Sequence, residues 1–181
     1  MTDPARRDLS GGADLARLVL DVQEAWSSPD QPGAVLEAAG RALQEAVGHR
    51  LYTVTCLLAG GREVERVHST RPDVYPVGGR KPVLPNAYTE RVRREKKPFL
   101  AKSPAGFAPL FPDHETITGM GLGCVMNLPL VFGGEVLGTV NLLDREGAYD
   151  ERHVEPALTI ARQILPALLS LDRRFGNAQD R

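Results

Sequence analysis

The sequence predicts an α+β domain built on a central antiparallel sheet of about five or six strands. The N- and C-terminal helices lie on one face of the sheet, and a ligand-type loop region lies on the other. Apolar residues recur at helical spacing near both ends of the chain. The strand-like runs between them are joined by glycine turns, which connect antiparallel neighbours. A long irregular segment rich in proline, residues 70–113, separates the two hairpins.

Two amphipathic helices begin the domain. The first starts near Asp14, a capping candidate, and is broken by the two prolines within residues 27–32. The second ends at Gly48. The apolar faces of the two helices are formed, in order, by Leu15, Leu18, Val22 and Trp26, and by Leu36, Ala39, Leu43 and Val47.

The first hairpin pairs residues 51–58 with residues 63–69 through a turn at Gly60-Gly61. Its first strand alternates and is predicted to be half-buried, with Thr53 and Thr55 on the side opposite the larger apolar residues. That apolar side consists of Tyr52, Val54, Cys56 and Leu58.

The second hairpin is the clearest in the chain and joins residues 124–132 to residues 135–143 at Gly133-Gly134. Pro129 lies inside the first of these strands and lacks an N–H, so it should face an edge or a bulge. A helix from about Asp150 closes the domain, and Pro166 should kink or interrupt it. Its apolar residues follow a heptad-like seam, Val154, Leu158, Ala161, Leu165 and Leu168.

These elements predict a single domain over residues 13–171, with flexible tails at residues 1–12 and 172–181. The 22 Lys and Arg residues against 23 Asp and Glu give a net charge of −1, which argues against nucleic-acid binding. No apolar run is long enough to cross a membrane, and the first twelve residues lack the apolar core of a secretion signal. We therefore expect a soluble, cytoplasmic protein.

The segment at residues 70–113 contains eight of the 14 prolines and five of the ten aromatic residues. Disordered linkers are poor in aromatic residues, so we interpret this segment as a folded cover or binding loop. The alternative is a packed structural crossover that binds nothing. Within this segment, the stretch from Arg80 to Lys102 carries eight cations against two carboxylates.

Candidate ligand-binding residues lie in and just after this segment. Arg80 and Lys81 follow the Gly78-Gly79 turn, whose N–H groups would allow an anion to approach closely, so an anionic ligand such as a carboxylate is predicted there. The other candidates combine apolar area or a polar group with a position near the predicted pocket: Tyr75, Tyr88, Phe107, Phe111, His114, Met126 and Asn127. Met126 and Asn127 must face opposite sides of their strand. No catalytic residue, metal site or cofactor is predicted.

The second half of the chain resembles the GAF domain family, whose fold is related to the PAS and profilin-like architectures. The resemblance is carried by Asn127-Leu128-Pro129-Leu130, by Gly133-Gly134-Glu135-Val136-Leu137-Gly138-Thr139-Val140-Asn141-Leu142, by Tyr149-Asp150-Glu151, and by Leu158-Thr159-Ile160-Ala161-Arg162-Gln163-Ile164. It implies a ligand pocket between the sheet and the variable loops, here within residues 70–126. Cyclic-nucleotide-binding members carry an Asn-Lys-Phe-Asp-Glu signature that this chain lacks. Bilin-binding members use a loop cysteine, whereas Cys56 and Cys124 lie in predicted strands.

The resemblance favours a non-catalytic, bacterial-type sensory domain with a small-molecule pocket covered by residues 70–123. Its output would pass through a protein partner or a homodimer formed by the terminal helices. One alternative is a thiol enzyme similar to the free methionine-R-sulfoxide reductases, with Cys56 and Cys124 as a cross-strand pair. The other is a ligand-free interaction module. A pocket plugged by Phe107 and Phe111 would favour the last of these, and a hollow pocket with convergent polar groups would favour sensing.

Overall fold

The computed structural model describes residues 12–58 and 61–176, with side chains described for residues 14–58 and 61–171. The predicted N-terminal tail lies outside the described residues except for Gly12, which begins a helix. Residues 177–181 of the predicted C-terminal tail also lie outside them, as does Gly60 of the first turn. The last helix continues to Gly176, beyond the predicted domain boundary at residue 171.

The centre of the protein is a six-stranded sheet in which every neighbouring pair is antiparallel. The strands follow the order β3-β2-β1-β6-β5-β4. Their bounds are β1 Leu51–Leu57, β2 Glu63–Ser69, β3 Arg80–Pro82, β4 Phe99–Ala101, β5 Cys124–Phe132 and β6 Glu135–Asp144. Both predicted hairpins and the predicted fold class are confirmed. The short outer strands β3 and β4 come from the segment that the sequence pattern indicated only as irregular.

Four helices cover one face of the sheet, as predicted. They are α1 Gly12–Glu24, α2 Gly33–Ala46, α6 Glu151–Ala161 and α7 Leu165–Gly176. The main hydrophobic core lies between them and the sheet, with Tyr52, Met126 and Leu142 among the fully buried side chains from the strands. The Tyr52 hydroxyl donates a hydrogen bond to the Leu36 carbonyl at 3.0 Å, which ties β1 to α2.

The opposite face is covered by the short helices of the segment between the hairpins. They are α3 Ala87–Thr89, a π-helical turn at Glu90–Arg94, α4 Pro104–Phe107 and α5 His114–Gly119. A second, smaller core lies beneath them and includes Val92, Phe107, Ile117 and Val125. The predicted half-buried strand β1 is therefore buried on both faces, since Thr53 and Thr55 are each only 6% exposed.

Pro129 lies where its missing N–H costs no strand pairing. Strand β4 pairs with β5 only over Val125, Met126 and Asn127, so that side of Pro129 faces an open edge. A register irregularity follows directly at Leu130 and Val131. The prediction of an edge or bulge position is confirmed, and Gly133 and Gly134 both adopt the positive φ expected of the turn, at 59° and 83°.

The closing helix is interrupted just before Pro166, as predicted. A 3₁₀ turn at Arg162–Ile164 separates α6 from α7, because the proline lacks the N–H needed to continue the α-helical ladder. The terminal helices, through which a homodimer is predicted, use many of their apolar residues inside the chain: Leu18, Val22, Leu158 and Leu168 are all buried in the main core. No helix within the described part of the chain is both long and apolar enough to span a bilayer.

Candidate functional site

A cavity of about 510 Å³ lies between the sheet and its irregular cover. Its floor is formed by alternate residues of β1, β2, β5 and β6, and its roof by residues of the segment from Tyr75 to Ile117. Most of the wall is apolar, with Leu51, Val125 and Leu143 at the floor. The cavity is hollow, and its polar groups are concentrated in two places, a central network on the sheet and a charged cluster at one side.

The central network joins three strands through buried side chains. The Asn141 Oδ1 atom accepts hydrogen bonds from Asn127 Nδ2 at 2.6 Å and from the Thr139 hydroxyl at 2.8 Å. Asn141 Nδ2 donates to the Thr53 hydroxyl at 3.1 Å. The Thr139 and Thr55 hydroxyls are 2.8 Å apart. These residues meet because the register places Asn141 opposite both Thr53 and Asn127, on the face that carries the cavity.

The network leaves one buried acceptor unused. Asn127 is 4% exposed, and its Oδ1 atom accepts no hydrogen bond from the residues that the structure describes. An unsatisfied buried polar atom is costly, typically by about 1–3 kcal/mol. A ligand that donates a hydrogen bond at this point would remove that cost.

The cover is held together by aromatic packing and by one asparagine. Tyr88 packs edge-on against both Phe99 and Phe111, with ring centroids 5.4 and 5.0 Å apart. Asn86 caps α3 through the Thr89 N–H and also donates from Nδ2 to the Leu110 carbonyl at 2.9 Å. Burial raises the pKa of Tyr88 to about 12, an effect that nearby Thr139 partly offsets, so Tyr88 is neutral at physiological pH.

The charged cluster lies where β2 and β3 meet the end of the cover. The Arg66 guanidinium lies over the Tyr75 ring at 4.8 Å from its centroid. The Tyr75 hydroxyl donates to Asp113 Oδ2 at 3.1 Å, and Lys81 Nζ is 3.9 Å from the same oxygen. Burial lowers the pKa of Arg66, and burial together with the Asp113 carboxylate raises the pKa of Tyr75. All four side chains line the cavity.

Five of the nine residues predicted from the sequence line this cavity. They are Tyr75, Lys81, Tyr88, Phe111 and Asn127. Phe107 is fully buried behind the wall, where it packs against Phe111 at 5.9 Å between ring centroids. His114 does not line the cavity, and its Nδ1 lies 3.0 Å from the Phe111 carbonyl. Met126 faces the helix layer and is fully buried in the main core, which corrects its assignment to the site.

The anion site predicted at the Gly78-Gly79 turn is also corrected. The Gly78 N–H donates to the Arg66 carbonyl at 2.8 Å, and the Gly79 N–H donates to the Pro76 carbonyl at 3.3 Å, so both amides already have acceptors. Arg80 lies opposite Glu65 on the face away from the cavity and pairs with it at 2.7 Å. Strand alternation thus places Lys81 towards the cavity and turns Arg80 away from it.

The two cysteines do not form a thiol pair. Cys56 and Cys124 are both buried in the core under the helices, on the opposite side of the sheet from the cavity. Cys56 lies opposite Gly138 and Cys124 opposite Asp144 on the shared neighbour β6. Six residues of strand correspond to about 20 Å, far beyond disulfide reach. This geometry removes the basis for the thiol-enzyme alternative.

Sequence reasoning missed several residues that the cavity brings together. They are Thr53, Thr55, Arg66, Thr139 and Asn141, all on the cavity face of the sheet. A signal for four of them was present, because Thr53 and Thr55 alternate with apolar residues in one strand, and Thr139 and Asn141 do so in the other. Polar residues repeated on one face of two strands indicate either solvent or a polar pocket floor. Whether such residues face solvent or a pocket depends on whether another segment covers them, which the strand pattern does not show.

The architecture is an antiparallel sheet with helices on one face and a covered cavity on the other. The sequence model of the GAF domain family matches residues 30–168, and the chain belongs to this family. GAF domains are generally sensory or regulatory and bind small molecules. A comparison with curated protein sequences found no match.

Solved structures with the same fold include two GAF domains and one chromophore-binding domain. The GAF domain of a phosphoenolpyruvate-protein phosphotransferase from Coxiella burnetii is 16% identical, with a TM-score of 0.69 over 93% of this chain and 99% of that one. The corresponding domain from Acinetobacter is 15% identical, with a TM-score of 0.65 over 87% and 92%. The chromophore-binding domain of a bacteriophytochrome from R. palustris is 11% identical, with a TM-score of 0.65 over 93% and 64%. At these identities the likeness concerns the fold.

Proposed function

We propose that this chain is a non-catalytic sensory domain that binds a small molecule in the cavity between the sheet and its cover. Its occupancy is passed on to a protein partner or to a second copy of the chain. The observation that carries the proposal is the hollow cavity of about 510 Å³ with a mostly apolar wall and a convergent buried polar network. Such a volume lies within the range of roughly 300–1,000 Å³ typical of small-molecule sites.

The arrangement of the cover favours sensing over a ligand-free interaction module. Phe107 fills the small core behind the wall, and Phe111 forms part of the wall itself, so neither ring plugs the space. Asn127 Oδ1 adds a buried acceptor without a donor in the described residues. In a purely structural domain, an unsatisfied polar atom beside a cavity would not contribute to stability.

The experiment measures occupancy with a neutral fluorescent probe, N-phenyl-1-naphthylamine, whose emission rises in an apolar cavity. We expect saturable binding of one probe per chain. Val64 lines the cavity from β2, so Val64→Trp should fill it and weaken binding at least tenfold. Glu63→Trp is the matched control, because the neighbouring Glu63 is exposed and lies outside the cavity lining.

Equal probe binding by wild type, Val64→Trp and Glu63→Trp would contradict the proposal, since it would show that the probe binds elsewhere. The output is tested on the same samples by sedimentation velocity with and without bound probe. A change in oligomeric state on binding supports signalling through a second copy. An unchanged state directs the search to a protein partner.

A further inference from the structure

Arg66 is a buried cation that has no carboxylate partner. The residue is 9% exposed, and no Asp or Glu oxygen of the described chain lies within 4.0 Å of its guanidinium. Among the described residues, its one side-chain hydrogen bond runs from Nη1 to the Pro76 carbonyl at 3.1 Å, and its buried Nε finds no acceptor there. A guanidinium has five N–H donors, so most of its hydrogen-bonding capacity is unused.

The acidic side chain that acts on Arg66 without contacting it, Asp113, is committed to other groups. Asp113 accepts from the Tyr75 hydroxyl and pairs with Lys81, which is itself half exposed at the edge of the cavity. Arg66, Lys81 and Asp113 together leave a net charge of +1 at this end. Arg93, the other cation among the described lining residues, belongs to the cover and lies beside Gly61.

A buried charge without a counter-charge in direct contact is destabilising, so its retention beside the cavity points to a counter-charge brought by a ligand. We propose that Arg66 binds the carboxylate of a monoanionic ligand whose remaining body is mostly apolar. This inference rests on the proposed function of the cavity and names the chemical class of its ligand. The planar fork of the guanidinium matches the two oxygens of a carboxylate, and Tyr75 beneath it keeps the fork in place.

The shape of the cavity defines the rest of the ligand. Arg66 lies on β2 and Asn127 on β5, three strand spacings apart in the sheet, or about 14 Å between their backbones. Between them the wall is apolar and partly aromatic, with Tyr88 and Phe111 in the roof. A carboxylate at Arg66 therefore carries its aliphatic or aromatic body towards the Asn127 end, where a hydrogen-bond donor would meet Oδ1.

The test compares two probes that differ only in charge, 4-phenylbutyrate and 4-phenylbutanamide, by their displacement of bound N-phenyl-1-naphthylamine. Wild type should bind the carboxylate at least tenfold more tightly than the amide. Arg66→Met keeps an apolar stem but removes the charge, so it should weaken carboxylate binding at least tenfold and leave amide binding within twofold. Arg80→Met is the matched control, because it removes the same charge from the adjacent strand on the opposite face. The Arg80→Met variant should still bind the carboxylate at least tenfold more tightly than the amide.

A structural role for Arg66 predicts different results. If Arg66 only stabilised the fold, Arg66→Met would lower the melting temperature of the unliganded protein, whereas we expect it to be unchanged or raised. Arg66→Gln serves as a second uncharged variant should Arg66→Met fail to fold. Equal displacement by carboxylate and amide in wild type, or a preference that survives in Arg66→Met, would overturn the assignment while leaving the cavity as a binding site. Failure of the neutral fluorescent probe to bind would overturn the proposed function and this inference with it.

Discussion

The Asn127 side-chain amide donates to the Asn141 Oδ1 atom at 2.6 Å across the two adjacent strands β5 and β6. This bond lies at the centre of the cavity floor, where both residues are at most 8% exposed. Asn141 also bonds to Thr139 and Thr53, so it joins three strands, whereas Asn127 makes this one side-chain hydrogen bond within the described part of the chain. Asn141 therefore supports both the floor of the site and the stability of the sheet.

We expect Asn141→Ala to destabilise the protein more than Asn127→Ala. The first substitution removes the partner of three buried polar groups and should lower the free energy of unfolding by about 2–3 kcal/mol, while the second should cost about 1 kcal/mol. Urea unfolding of both single variants and the double variant measures the coupling directly. Additive effects of the two substitutions would contradict a direct interaction between these side chains.

Gly138 should not tolerate a side chain. A Cβ at this position would overlap the Thr55 carbonyl oxygen, because β1 approaches β6 closely there. Gly138→Ala should therefore lower the free energy of unfolding by about 1–3 kcal/mol. Gly33→Ala is the matched control, since a Cβ at the start of α2 meets nothing within 4 Å, and it should be neutral or stabilising. Equal melting temperatures for the two variants would show that β1 and β6 can move apart at little cost in free energy.

Two histidines beside Tyr52 should make the protein less stable in mild acid. His49 and His68 lie 5.5 and 4.9 Å from the Tyr52 ring, and burial lowers the pKa of both from 6.5. The unfolded chain then binds more protons than the folded one as the pH falls through 6.5, so the free energy of unfolding decreases. We expect a smaller decrease between pH 7.5 and 5.5 for His49→Gln and His68→Gln than for wild type. If the free energy of unfolding changes with pH equally in all three proteins, these histidines are not the cause of the lower stability in acid.

Trp26 should report the docking of helix α1. Its indole N–H donates to the Gln163 carbonyl at 3.1 Å, and Gln23 Nε2 donates to Gln163 Oε1 at 2.9 Å, so the end of α1 is bound to the 3₁₀ turn after α6. Trp26→Phe keeps an aromatic ring but removes the donor, and should cost about 1 kcal/mol. As the only tryptophan in the chain, Trp26 gives an emission signal for the same contact during unfolding. A variant as stable as wild type would show that this hydrogen bond contributes nothing.

The elements with a strong local pattern could be predicted from the sequence. Alternation identified β1, and the Gly133-Gly134 turn identified β5, β6 and their pairing because those residues adopt positive φ readily. The interruption before Pro166 followed from its missing N–H. Strands β3 and β4 have three residues each and no periodicity of their own. They become strands because β2 and β5 offer them hydrogen bonds, which no local pattern records.

The sequence by itself therefore determined the two hairpins of the sheet, the helix layer and the location of the cover, since each depends on spacing between near neighbours. The tertiary structure alone decided which side chains face the cavity. Arg66 shows the reason: an irregularity in the β1–β2 register skips Val67, so that Arg66 lies opposite Thr55 while His68 lies opposite Val54. Uninterrupted alternation would put Arg66 and His68 on the same face. The bulge instead places Arg66 and His68 on opposite faces of the sheet. Its position depends on which side chains are buried across the whole domain, and the residues beside it do not determine it.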